Sequence, residues 1–422
     1  MKLSPLTEDF TLKRTMARVV ITGMGIYSCI GQDLQTVLES LKSGKSGVGF
    51  DPLREEMGFR SFLTGIVPKP DLSKRLDRRK RMSMSEEASY AYFATEEALA
   101  NAGIDETFLS SREVGILFGN DSSAQAVIDG IDIVREKKNT TLVGSGSVFQ
   151  SMNSTITMNL SVIYKLKGIN LTIAGACASG SHALGMGYLM IKNGLQDCII
   201  CGGAQEVNPY AVCTFDGLNA FSVKNNDPQS ASRPFDVDRD GLVPSGGAAT
   251  LILESYESAV KRGAPILAEI TAYGFSSNGD HISVPNIDGP RRSIEMALLQ
   301  ANLKPLDIQY INAHATSTQV GDYNEAKAIS EVFGDLRPYV GSTKSMTGHE
   351  MWMAGASEVI YSILMMKNSF IAPTINFNKP DEASEKLNIN NKIINFDFDT
   401  FLSNSFGFGG TNSTLIIKNF KK

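Results

Sequence analysis

The stretch LTIAGACASGSHALGMGYLMIKNGL, residues 171–195, decides the fold. It reads as a short buried strand running straight into a helix, with Cys177 at the junction. Gly175 and Ala176 precede the cysteine, and Ala178, Ser179 and Gly180 follow it. Neighbours this small leave room for a bulky group to reach the sulfur. At a helix N-terminus a thiol feels the positive end of the dipole, which favours the thiolate. Cysteine is also among the most buried residue types, so the same sulfur can be packed and inert. The choice rests on whether the chain supplies it with partners.

At 422 residues the chain exceeds the usual single core, so two core units or one large α/β body are expected. Its 42% hydrophobic and 20% charged residues suit a soluble globular protein. A net charge of −5 argues against a general nucleic-acid binder. The five cysteines (Cys29, Cys177, Cys198, Cys201, Cys213) are odd in number and scattered, unlike a disulfide framework, so a reducing, cytoplasmic setting is expected. Cys198 and Cys201 have CxxC spacing, but on a strand i and i+3 point to opposite faces, which disfavours a metal or redox pair. No apolar run approaches the roughly 18 residues a membrane span needs. Residues 1–15 lack the apolar core of a signal peptide and read as a loose extension.

Outward from Cys177, VVITGMGIYS (19–28) reads as an apolar strand with a tight glycine-bearing turn. Ser28 stands where a dinucleotide fingerprint needs its third glycine, so no nicotinamide site is expected. SEEASYAYFATEEALANAG (85–103) predicts a helix capped by Ser85 and stopped by Gly103, followed by the strand VGILFGN (114–120). The pattern then recurs. ILAEITAYGFSS (266–277) looks like the first strand over again, and the helix MALLQANL leads to the strand IQYINAHATST (308–318). YVGSTKSMTG leads to the helix MWMAGASEVIYSILMMKN, and 401–420 is two strands around a glycine-rich turn. This predicts a duplicated α/β unit with halves at 16–260 and 261–422, in which the Cys177 junction corresponds to the His349 junction.

Of four histidines, His314 and His349 lie just after buried strands of the second half, at the carboxyl ends where open α/β sheets place ligands. A cysteine with two histidines suits a hydrolytic nucleophile with its base, or an acyl carrier with a carbonyl-polarising pair. A metal site is disfavoured, since no acid stands at ligand spacing beside either histidine. The turn GFGG (407–410) is placed to offer a backbone N–H opposite the sulfur, completing an oxyanion hole with that of Cys177.

Four segments in this order resemble the β-ketoacyl-[acyl-carrier-protein] synthases: Cys177 in AGACASGSHA, His314 in NAHATSTQVGD, Lys344 and His349 in STKSMTGH, and NSFGFGGTN at 404–412. The likeness runs from about residue 16 to the C-terminus, and ASEVIYSILMMKNSFIAPTINF looks closest to the type I branch of bacterial fatty-acid elongation. The resemblance implies a thiolase-like α/β fold, two βα halves about a pseudo-twofold in five layers, α-β-α-β-α. It implies that Cys177 takes an acyl chain from acyl carrier protein and that malonyl carrier protein then condenses with it, losing carbon dioxide. His314 and His349 match the pair that stabilises the enolate, Lys344 the lysine that orders the site, and Glu325 its acidic partner. Thr316 and Thr318 match threonines that bind the pantetheine arm, and Phe408 the gating residue of the oxyanion hole. No separate cofactor is implied, because phosphopantetheine arrives on the carrier. The basic run Arg78, Arg79, Lys80 and Arg81 falls where the family docks that acidic partner, Arg79 and Arg81 above all. A dimer paired through LTIAGA is implied, with itself or with a related subunit.

The chain departs from the family pattern in three places. Ala315 replaces the usual glycine after the first histidine, where a positive φ would be costly. GHEMWMAG puts Trp352 and Met353 where glycine and alanine are expected, so compensating changes are expected around them. GNDSSA (119–124) places Asp121, Ser122 and Ser123 on the expected acyl pocket, where unpaired polar groups would suit a saturated chain badly. With Asp121, Ser122, Ala315 and Trp352 as pocket residues, a specialised enzyme extending an aryl-polyene or polyketide-type chain is expected. A coenzyme A-dependent thiolase is the nearest alternative, but thiolases use a second cysteine where this chain has histidine. A non-catalytic chain-length-factor-like subunit is another, though such subunits lose the nucleophile that is present here.

Overall fold

The computed structural model describes residues 16–421; the expected extension at 1–15 lies outside them. The first half contributes strands β1 (Val19–Tyr27), β2 (Gly115–Gly119), β3 (Asn170–Ile173), β4 (Cys198–Gln205) and β5 (Gly247–Ser255). The second contributes β6 (Ala268–Ser277), β7 (Tyr310–Asn312), β8 (Tyr339–Gly341), β9 (Thr400–Gly407) and β10 (Thr411–Asn419). Their orders are β3-β2-β4-β5-β1 and β8-β7-β9-β10-β6, the same order twice. The directions also repeat, two parallel pairings followed by two antiparallel ones. A short antiparallel pairing of Val19–Ile21 with Ala268–Ile270 joins the halves.

Six helices fill the layers: α1 (Glu86–Ala102), α2 (Thr155–Tyr164), α3 (Ser179–Lys192), α4 (Asp288–Ala301), α5 (Gln319–Phe333) and α6 (Ala354–Lys367). Helices α1 and α2 cover the outer face of the first sheet, and α4 and α5 that of the second. Between the sheets lie α3 and α6, each touching strands of both halves. Every residue of α6 from Ala354 to Met366 is buried, as expected of a helix apolar all round. The result is the five-layered thiolase-like arrangement that the resemblance implies.

Local chemistry sets the ends of α1: Ser85 Oγ accepts from the Ala88 N–H at 3.3 Å, and Gly103 closes it at φ 65°. Gly23 and Gly25 are not in a turn, as the sequence suggested, but inside β1. A Cβ on either would stand 2.3 Å from the Ala98 carbonyl or 2.0 Å from that of Ala94, so glycine lets α1 lie directly on the strand. Cys198 and Cys201 face opposite sides of β4, one packing toward α1 and the other toward α3. The strand before Cys177 also differs from expectation. It is the edge of the sheet, with Leu171 46% exposed, not a buried strand.

Candidate active site

Cys177 lies in a short 3-10 turn, Ala176–Ala178, between β3 and α3. Ala176 has φ 45°, an unusual value for a residue with a Cβ. The Asp121 carboxylate holds it by accepting the Ala176 N–H at 2.8 Å. Burial pushes the Cys177 thiol up to about 12, against the pull of Lys344. Burial thus opposes the thiolate that a helix N-terminus favours.

A cavity of about 500 Å³ reaches the sulfur and is lined by His314, His349, Thr316, Thr318 and Phe408 among others. His314 follows β7, and His349 follows the turn after β8, so both come from carboxyl ends of second-sheet strands. Their rings meet edge to face with centroids 5.3 Å apart. His349 is enclosed, and neither of its ring nitrogens has a hydrogen-bond partner; His314 Nδ1 also has none. Burial holds both rings well below the usual imidazole range, with Lys344 adding to it. Both are neutral at pH 7 and keep an N–H to donate.

Lys344 opens a one-turn helix, Lys344–Thr347, and its Nζ pairs with Glu358 on α6. Both side chains are only 1% exposed. This corrects the expected partner, Glu325. The Glu325 carboxylate instead accepts the N–H groups of His314 (2.9 Å) and Ala315 (2.7 Å) and the Asn404 amide (3.1 Å). It fixes the histidine loop, while Lys344 acts on it only through its charge. Burial pushes Glu325 up to about 7 and Glu358 up to about 8. Glu358 was missed in the sequence, although a lone glutamate in the apolar run ASEVIYSILMM is a signal.

Thr316 and Thr318 hydroxyls lie 3.1 Å apart on the cavity wall. Phe408 is 39% exposed and stacks on Phe215, ring centroids 6.0 Å apart. Phe215, absent from the sequence-based set, lines the cavity too. Arg78–Arg81 form one helical turn capped by Asp77, largely solvent-facing and away from the cavity lining. Among the described residues no cluster of His, Cys, Asp or Glu is placed to hold a metal ion.

The departures resolve differently from their sequence reading. The positive φ of the histidine loop is at Ser317 (72°), not Ala315, so the alanine methyl costs no backbone strain. The polar run is not left unpaired. Asp121 holds the Ala176 N–H, Ser122 Oγ accepts the Trp352 indole N–H at 3.2 Å, and Ser123 Oγ donates to Glu87 at 2.5 Å. Gly180 and Gly203 make room for the backbone at Trp352, since a Cβ on either would stand 2.9 or 2.6 Å from its carbonyl oxygen. The indole itself packs against Phe215 and Phe221 and not against shrunken neighbours.

The repeated halves, the cysteine turn and the histidine pair converge with sequence comparison. Residues 16–259 match the family model "Beta-ketoacyl synthase, N-terminal domain", and 267–378 match "Beta-ketoacyl synthase, C-terminal domain". The chain belongs to the β-ketoacyl synthase family. This synthase is 42% identical over 408 residues to 3-oxoacyl-[acyl-carrier-protein] synthase 1 of Haemophilus influenzae, covering 96% of this chain and 100% of that one. A solved β-ketoacyl synthase from Burkholderia phymatum superimposes with TM-score 0.92 at 38% identity, covering 96% and 100% of the two chains. A type II polyketide ketosynthase, solved with its acyl carrier protein and bound to the hexaketide, superimposes with TM-score 0.86 at 29% identity, again over 96% and 100%.

Proposed function

We propose that this chain is a 3-oxoacyl-[acyl-carrier-protein] synthase, joining a Cys177-bound acyl group to malonyl-[acyl-carrier-protein] with loss of carbon dioxide. The observation that carries this reading is the meeting of Cys177, His314 and His349 at one cavity, with the imidazoles 5.3 Å apart and neutral. In the first step the sulfur attacks the carrier thioester; the new S–C bond replaces the old one, and the Cys177 proton goes to the departing carrier thiol. In the second, the malonyl C–C bond to the carboxylate breaks, and its electron pair forms an enolate. Two neutral N–H donors on one cavity wall stabilise that developing charge without the desolvation cost of imidazolium. The enolate carbon then attacks the Cys177 thioester, and the released thiolate takes a proton from solvent. These steps balance with the phosphopantetheine that the carrier brings and no further cofactor. Cys177 and Phe408 N–H groups are assigned to the oxyanion hole, and Thr316 and Thr318 to the pantetheine arm.

The relatives act on, or are solved with, acyl carrier protein, and an exposed Arg78–Arg81 turn suits an acidic partner. Pairing of two copies, or of this chain and a related subunit, along β3 would cover its open edge and the exposed Leu171. No helix among the described residues is long and apolar enough to cross a membrane, and a cytoplasmic site of action fits the free thiols. The test is a reaction with acyl- and malonyl-carrier proteins, read as 3-oxoacyl product and carbon dioxide in equal amounts. The reading requires both from the wild type and neither from His314→Ala/His349→Ala; wild type that yields no 3-oxoacyl product contradicts it.

A further inference from the structure

The cavity leading to Cys177 is lined by His314, Thr316 and Phe408, and its lining does not extend to Trp352. Trp352 is packed in one cluster with Cys177, Met351, Phe221 and Leu242. Its backbone is wedged against Gly180 and Gly203, so only the side chain can give way. One hydrogen bond, from the indole N–H to Ser122 Oγ at 3.2 Å, holds that side chain. Ser122 is next to Asp121, which secures the Ala176 N–H of the nucleophile turn. One two-residue segment thus positions both the cysteine and the indole packed with it.

Phe215 and Phe408 present rings to the cavity. Phe215, on the cavity surface, lies with its centroid 6.3 Å from Trp352 at 53°, and is nearly parallel to Phe408 (19°) and Phe221 (6°). A saturated chain is thicker, because each methylene carries hydrogens above and below the carbon zigzag, and it has more rotors to freeze. A planar conjugated or aryl group needs only the thickness of a π-system, gains from offset contact with ring faces, and has few rotors to freeze.

We propose that Trp352, held by Ser122, is a specificity-determining residue that restricts Cys177 to acyl groups flat beside the thioester, conjugated enoyl or aryl, over saturated ones. The proposal rests on the acyl-transfer reading above and names the substrate class of that site.

The test compares carrier-bound hexanoyl with carrier-bound hexa-2,4-dienoyl, groups of equal length, by the initial rate at which Cys177 gains each as a thioester in intact-protein mass spectra. The wild type is expected to load the dienoyl group about tenfold faster, the rate difference that a stacking preference of this kind can supply. Trp352→Gly is expected to raise the hexanoyl rate and bring the two within about twofold of each other. Ser122→Ala keeps the ring, loses only its tether, and should move the ratio in the same direction to a smaller extent; it decides the matter if the glycine variant does not fold. Equal loading by the wild type, or a ratio unchanged in Ser122→Ala, overturns the proposal while leaving acyl transfer intact. Failure of the wild type to load either group contradicts acyl transfer itself, and this proposal with it.

Discussion

Cys177 and Trp352 occupy equivalent places in the two halves of the molecule. Each is the middle residue of a 3-10 turn that leads directly into a central helix, α3 or α6. The residue before each has nearly the same left-handed φ, 45° at Ala176 and 46° at Met351. The two turns touch across the centre of the fold. The internal pseudo-symmetry therefore sets an indole beside Cys177, while Lys344 and His349 come from the longer connection between β8 and its turn.

Asp121 should matter for the nucleophile more than its place in an acyl pocket suggests. Asp121→Ala leaves the Ala176 N–H without its acceptor, and Ala176 is the residue whose backbone is strained. A loss of about 1–3 kcal/mol in stability is expected, with slower acylation of Cys177. Asp121→Asn keeps a carbonyl oxygen and should retain most of both. Urea unfolding and the acylation rate check the pair.

Lys344 and Glu358 form an enclosed ion pair, in which burial pushes the Glu358 carboxyl up and Lys344 holds it down. Removing only the lysine strands that carboxyl among the apolar neighbours of α6. Lys344→Ala should cost about 3–5 kcal/mol, and the double replacement Lys344→Met/Glu358→Leu considerably less. Denaturant midpoints of the three proteins test this, and turnover should be lost in both variants.

Glu325 holds the backbone N–H groups of both His314 and Ala315. Glu325→Gln turns an amide donor toward one of them and should swing the histidine away from the reacting oxygen. A misplacement of about 1 Å can cost about 100-fold. Condensation is expected to fall by that order while acylation of Cys177, which does not use the enolate site, changes little. A parallel loss of both rates would contradict this division.

Glu350 follows His349 and is enclosed, its carboxyl accepting from Ser357 and Tyr361. Burial pushes it from the ordinary 4.5 up to about 7. Between those values the folded protein keeps a proton that the unfolded chain releases, so this residue's contribution to stability falls as pH rises from about 5 to 7. Glu350→Gln removes that titration, and the histidines cancel in the comparison. The stability difference between variant and wild type should shift in the variant's favour by on the order of 2 kcal/mol across that window. Parallel melting curves at all pH values would contradict it.

The fold and the grouping of Cys177, His314 and His349 at one cavity were legible because they leave local marks. Cys177, His314, Lys344 and His349 sit at strand ends among small residues, and the repeated order of strands and helices is visible along the chain. What was not legible depends on contacts between distant positions. Ser122 and Trp352 each look misplaced alone, yet they are partners across 230 residues. The resemblance implies Glu325 as the acidic partner of Lys344, but the lysine reaches α6 and Glu358 instead. The correspondence of Cys177 with His349 fails because the connection after β8 is longer than the one after β3, which spacing between motifs does not reveal. A helix dipole at Cys177 is readable in sequence, whereas the burial that opposes it is not.

The central claim is that Cys177 carries the acyl group. Its most direct measurement is the intact mass of the protein after incubation with an acyl carrier thioester, with the modified peptide mapped. The account predicts one acyl group per chain, on Cys177, released by hydroxylamine as expected of a thioester, and absent from Cys177→Ala. An adduct that persists in Cys177→Ala, or a wild type that gains none from any acyl carrier thioester, would contradict it.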